Sequence, residues 1–190
     1  MIPREVFYPI ARRAFWGYFL LLLDFNLTLN SVLCLPLLPN VLGWYLILQA
    51  ARAGAEYRPT MKLLFPFCTA LALYSLLQFL PAIDAMVPAL IGLFVAVVTL
   101  YTHFQFFTDL AALAEDALPS EAAAGSLLRG RTVLVVSNTA FYAAGLLSDA
   151  PAILLAVGGA VMVVGFCCFL YILWQLWQLQ RAAAAPHAAA

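Results

Sequence analysis

Residues 23–31 place one carboxylate (Asp24), two amides (Asn26 and Asn30) and two hydroxyls (Thr28 and Ser31) inside an otherwise apolar run. Such groups are expensive to bury in an apolar medium, so each needs a partner or a purpose. On a helix, Asp24, Thr28 and Ser31 would share one face, at spacings of i, i+4 and i+7, with Asn26 and Asn30 opposite. If a helix continues from Arg13, Asp24 lies about 16 Å further along, near the middle of a ~30 Å hydrocarbon core. A carboxylate there could handle a proton or cation, or form the polar wall of a substrate pocket. The same residues alternate polar with apolar, which suits an extended segment equally well. Asx and hydroxyl side chains would then serve stray backbone groups ahead of Pro36 and Pro39.

The other chemistry-bearing groups are scattered. His103 sits in Tyr101-Thr102-His103-Phe104-Gln105, where it could relay protons or bond between helices. With no second histidine in an apolar segment, interhelical bonding is the expected role. Ser137-Asn138-Thr139, Gln78 and Gln49 can likewise bond across helices for modest energies. Cys34, Cys68, Cys167 and Cys168 fit no ligand or C-x-x-C spacing and read as small buried hydrophobes. The vicinal pair Cys167-Cys168 points to different helix faces. No H-E-x-x-H, G-x-S-x-G or phosphate-binding loop is present. The chain therefore offers no catalytic residue, metal set or cofactor motif, and an enzyme is not the expected class.

The elements that must position these groups follow from composition. Of 190 residues, 66% are hydrophobic and only 9% charged, against about 25% charged in soluble domains. Long apolar runs between short charged clusters define an all-α polytopic membrane bundle. Formal net charge is zero, so nothing favours a nucleic-acid partner. Six segments fit, at about 14–35, 36–51, 63–80, 87–107, 132–147 and 152–177, with the first two short or re-entrant. Together they make one domain over 1–181, followed by a low-complexity tail at 182–190. Residues 1–13 read as a basic arm, and 1–35 as part of the mature protein, because Asp24 and Asn26 break any signal-peptide core. After His103 the fourth segment continues with Phe106, Leu110, Leu113 and Ala117 as an apolar stripe opposite Asp109, Glu115 and Asp116.

Alternating sides from a cytosolic N-terminus puts Arg4, Arg12, Arg13, Arg52, Arg58, Lys62, Arg129, Arg131 and Arg181 all inside, which is every one of the 9 basic residues. Both termini are then cytosolic. Trp16, Trp174 and Trp177 belong to the inner aromatic belt and Trp44 to the outer one. Ala140, Ala144 and Ser148 against Ala160, Ala156 and Ala152 would form a small-residue seam between the last two segments.

Leu38-Pro39-Asn40-Val41-Leu42-Gly43-Trp44-Tyr45, preceded by Asp24-Phe25-Asn26, resembles a pattern in small bacterial multi-pass inner-membrane proteins of no established activity. There an Asp/Asn segment leads into Leu-Pro-Asn/Asp-x-x-Gly and an aromatic helix. The likeness covers about residues 15–52 and implies a bacterial cytoplasmic-membrane location. It marks Pro39, Asn40 and Gly43 as a helix start, with Asn40 as its N-cap. Two functions remain. One is a non-catalytic scaffold or regulator in the bilayer, meeting a membrane-protein partner or a second copy. The alternative is a small-solute binding or transport module, analogous in size alone to the membrane subunits of vitamin importers. Its polar site would comprise Asp24, Asn26, Thr28, Asn30 and Ser31, joined by His103 and Asn138.

Overall fold

The computed structural model describes residues 2–23, 26–30, 33–36, 39–77, 89–118, 123–145 and 152–185. Its elements are α1 (Arg4–Leu22), β1 (Asn26–Asn30), β2 (Leu33–Pro36), α2 (Pro39–Gly54), a 3₁₀ turn (Pro59–Leu63), α3 (Leu64–Leu77), α4 (Ala89–Ala117), α5 (Ala123–Gly145) and α6 (Ala152–Ala184). The bundle is helical apart from the short β1–β2 hairpin. Each helix packs on its neighbour in sequence, and α6 returns to α1, closing a ring; α1 and α2 also touch α4 inside it. Three helical stretches, Pro59–Leu77, Ile91–Ala117 and Gly158–Ala184, are long and apolar enough to cross a membrane.

The first helix starts earlier than the sequence reading allows. Residues 4–13, expected as an arm, are helical, because Phe7, Ile10, Ala11, Ala14 and Tyr18 recur at helical spacing and are all buried. Glu5 in the first turn suits the positive end of the helix dipole. The helix stops at Leu22 instead of running through to 35. Beyond it, Asn26-Leu27-Thr28-Leu29-Asn30 forms β1, paired antiparallel with β2 in the register Asn26 to Pro36, Leu27 to Leu35 and Thr28 to Cys34, with an irregularity before Asn30. Alternating polarity favours a strand, and Pro36, with no N–H to give, falls at the strand end.

Pro39 opens α2, so Asn40 lies in the first turn and not ahead of it. A proline at the first helical position loses no bond, since that N–H has no intrahelical partner. Gly43 then faces Gly17 of α1. A Cβ on Gly43 would stand 2.9 Å from the Gly17 carbonyl oxygen and 2.8 Å from Leu21 Cδ2. One on Gly17 would stand 3.0 Å from the Gly43 carbonyl and 2.8 Å from Ile47 Cγ1. Only the absence of both side chains lets α1 and α2 meet this closely.

Burial is uneven along the long helices. At 29 and 33 residues, α4 and α6 are about 43 and 50 Å long, well beyond a ~30 Å hydrocarbon core. In α4, Phe106, Phe107, Leu110, Leu113 and Ala114 are buried, whereas Ile91, Leu93, Phe94 and Val97 are exposed. In α6, Ile172, Leu176, Leu179 and Ala183 are buried, whereas Val163, Val164 and Phe166 are exposed. The core thus lies at one end of the ring. Ala182–Ala184, expected to belong to the tail, continue α6 because alanine is the strongest helix former.

Of the expected alanine ladder between α5 and α6, Ala140 and Ala160 are both exposed, and the side chains of Ala144, Ser148, Ala152 and Ala156 lie outside the described residues. Described contact is made at Gly130, whose added Cβ would meet Ile172 at 2.9 Å, and at Gly165 beside Ser137. The Cys168 thiol donates to the Gly130 carbonyl oxygen at 3.1 Å. Cys168 is buried and Cys167 exposed, as expected of neighbours on different helix faces.

Candidate functional site

Three polar arrangements result. The first joins α1, α2 and α4. Tyr18 is fully buried, and its hydroxyl lies 3.0 Å from Nδ1 of His103. With the imidazole proton on Nε2, the phenol donates this bond; the other tautomer reverses it. Trp44 stacks on the imidazole, with ring centres 5.5 Å apart and planes at 25°. Phe107 lies 4.6 Å from the Tyr18 ring, Phe106 at 5.7 Å and Phe169 at 6.0 Å. Trp44, expected in an interfacial belt, is therefore a core residue. It packs at the level of His103 because the Gly17–Gly43 approach draws α2 inward.

The second arrangement surrounds Asp109. The sequence places Asp109 on a polar face with Glu115 and Asp116, and those two are indeed exposed. Asp109 is only 6% exposed. The Thr60 hydroxyl donates to its Oδ1 at 2.8 Å, and the Gln105 amide donates to its Oδ2 at 2.9 Å. The carboxylate pins the 3₁₀ turn onto α4. Nearby, Arg58 and Asp116 form a 3.3 Å ion pair, and Arg131 donates to the Thr108 hydroxyl at 2.6 Å while lying over the Phe104 ring at 4.1 Å. The signal for Asp109 was present in Gln105 one turn before it. Its partner Thr60, 49 residues away, carries no such signal.

The third is a cavity of about 330 Å³ between the end of α1, α5 and α6. Leu21, Leu22, Leu134, Val161, Phe166 and Phe169 give it apolar walls, and Ser137, Asn138 and Tyr142 supply the polar groups. Asn138, on the cavity wall, donates its amide N–H to the Leu134 carbonyl oxygen at 2.9 Å. Phe169 touches both this cavity and Tyr18, so it stands between the first and third arrangements.

The structure thus brings His103 to Tyr18 and Trp44, and Asn138 to a cavity wall. It does not join these two to each other. Asn26, Thr28 and Asn30 lie on β1; Asp24 and Ser31 fall outside the described residues. Among the described residues no three His, Cys, Asp or Glu side chains are grouped to hold a metal ion. The buried Cys68 thiol lies near Tyr18, and the Tyr18–His103 bond itself ties α1 to α4.

No protein-family model, curated protein or solved structure matches the chain. Its class rests on its own physics: this is a helical membrane protein, carrying helices fit to cross a lipid bilayer.

Proposed function

We propose that the protein is a non-catalytic scaffold of the bacterial cytoplasmic membrane: a multi-pass bundle with both termini in the cytosol, built to meet a protein partner or a second copy of itself. One observation carries this reading: the described groups best suited to chemistry are spent on the fold. His103 holds Tyr18, Asp109 holds Thr60 and Gln105, and Thr102, Ser75 and Thr139 return their hydroxyl protons to carbonyls one turn back. The one-sided placement of basic residues supports the orientation, and the resemblance over residues 15–52 supports the location.

A second reading keeps the cavity as a small-solute site, favoured by the Asn138 and Ser137 groups on its wall. A ligand-stability screen on purified wild type, Asp24→Asn and Asn138→Leu separates the two. The scaffold reading expects no solute to stabilise any of the three. A solute that raises the unfolding temperature of wild type but not of Asn138→Leu overturns it in favour of binding at the cavity, and one lost only in Asp24→Asn overturns it in favour of a site at the polar stretch. Reporter fusions after residues 84 and 149 should both report the periplasmic side, and a cytosolic signal from either one sinks the orientation.

A further inference from the structure

We infer that the groove between the first half of α1 and α2 is a binding site for the phosphodiester headgroup of an anionic phospholipid. The groove has a volume of about 360 Å³ and is lined by Tyr8, Pro9, Arg12, Arg13, Trp16 and Leu46. Among the described residues, neither Arg12 nor Arg13 has a carboxylate or hydrogen-bond partner, and both are exposed. Other basic side chains are engaged: Arg58 by Asp116, Arg131 by Thr108 and Phe104, Arg181 by the Trp177 ring. Two adjacent, uncommitted guanidinium groups present paired donors that match a phosphate.

The rest of the groove selects a lipid over a free anion. Arg12 and Arg13 stand where charged residues end and the apolar run of α1 begins, which is the headgroup level of a membrane helix. Trp16, about one turn deeper, is 44% exposed, and an indole there suits the glycerol region. Leu46 of α2 continues the wall on the deeper side as apolar surface for the start of an acyl chain, and Tyr8 and Pro9 line the groove about one turn outward of the arginines. Basic pockets between membrane helices that open at headgroup depth are the expected form of an anionic-lipid site. A docked protein segment would instead need carboxylates at a depth where bilayer phosphates already compete for both arginines.

The test uses the full chain in phosphatidylcholine nanodiscs containing a minor fraction of phosphatidylglycerol, with retained lipid read by native mass spectrometry. Wild type should keep a discrete phosphatidylglycerol adduct and no phosphatidylcholine adduct. The double variant Arg12→Gln/Arg13→Gln should weaken retention on the order of tenfold or more. Lys62→Gln/Arg129→Gln, which removes the same charge outside the groove, should retain the lipid as wild type does. Leu46→Trp should fill the groove and lose the adduct with both arginines in place, and inorganic phosphate at millimolar concentration should not displace the lipid. Equal retention by the double arginine variant overturns the proposal. So does equal loss in the Lys62/Arg129 control, which would reduce the effect to surface charge. Displacement by inorganic phosphate would make the groove a free-anion site and equally overturn it.

Discussion

Replacing Gly43 by alanine adds a single methyl group where α1 and α2 are closest. That carbon would lie 2.8 Å from Leu21 Cδ2, 2.9 Å from Leu21 Cγ and 2.9 Å from the Gly17 carbonyl oxygen. Comfortable carbon contacts are about 3.5–4.0 Å, and a backbone carbonyl cannot rotate away, so α1 must retreat by several tenths of an ångström. Overpacking of this kind costs about 1–3 kcal/mol, partly offset by about 1 kcal/mol of improved helix propensity. Gly159→Ala makes the control, since nothing lies within 4 Å of a Cβ there, and it receives the propensity gain alone. The propensity contribution cancels in the comparison, so the two variants should differ by about 1–3 kcal/mol, with Gly43→Ala the less stable. Adding Gly17→Ala should cost less than its separate effect, because the same retreat of α1 relieves both contacts. The assay is reversible unfolding in mixed detergent micelles, followed by the fluorescence of buried Trp44 in a background where Trp16, Trp174 and Trp177 are phenylalanine. If Gly43→Ala and Gly159→Ala shift the midpoint equally, the close approach of α1 and α2 is wrong.

Three further substitutions test the polar ties. Tyr18→Phe removes the phenol from a buried imidazole and should cost about 1–3 kcal/mol in the same unfolding assay; a neutral result would mean that His103 finds water instead. Asp109→Leu removes the acceptor of the Thr60 and Gln105 donors and should cost about 1–3 kcal/mol, with Asp109→Asn milder because its amide oxygen still accepts one bond. Limited proteolysis near the 3₁₀ turn should accelerate in Asp109→Leu and stay unchanged in an exposed control, Glu115→Leu. Arg131→Lys keeps the charge but loses the flat contact with Phe104, and should cost about 0.5–1 kcal/mol. The same loss in a background with Phe104→Leu would show that the ring contact carries none of it.

The helical class and the membrane setting could be read from composition alone, because an apolar run of membrane length has few soluble alternatives. The faces of individual helices were legible wherever hydrophobic spacing reports on one partner, as for Phe106, Leu110 and Leu113. Local spacing carries no information where partners are remote. Nothing near Trp44 announces that it will lie on His103, and its place in an aromatic opening turn pointed to the interface. Asp109 looked like surface for the same reason, since its burial depends on Thr60 from another element. Gly130, a lone glycine in a helical pattern, carries no sign of the Ile172 side chain that needs its missing Cβ. His103 as an interhelical bond was readable from its isolation; the identity of Tyr18 as partner was not.

The β1–β2 hairpin links the glycine contact to the polar stretch that interrupts the first apolar run. On the proposed orientation, which sets Arg13 at headgroup level, the nine residues 14–22 carry α1 only about 13.5 Å inward, less than half of a ~30 Å core. Backbone beyond that point must find hydrogen bonds within the protein, since lipid offers none. Pairing β1 with β2 satisfies one edge of each strand, and it can form only if the two stems are held side by side. Gly17 and Gly43 hold them, nine residues before β1 and seven after β2. A wedge in that contact should therefore be felt in the hairpin and not only at the helix crossing. In Gly43→Leu, hydrogen exchange at the amides of 26–30 and 33–35 should rise by an order of magnitude or more, as expected for about 1.4 kcal/mol of lost local stability. Exchange in α5 and α6 should change far less. Unaltered protection of the hairpin amides would show that the strands pair without help from the helices, and that the polar residues of β1 have their place in the membrane independently of Gly17 and Gly43.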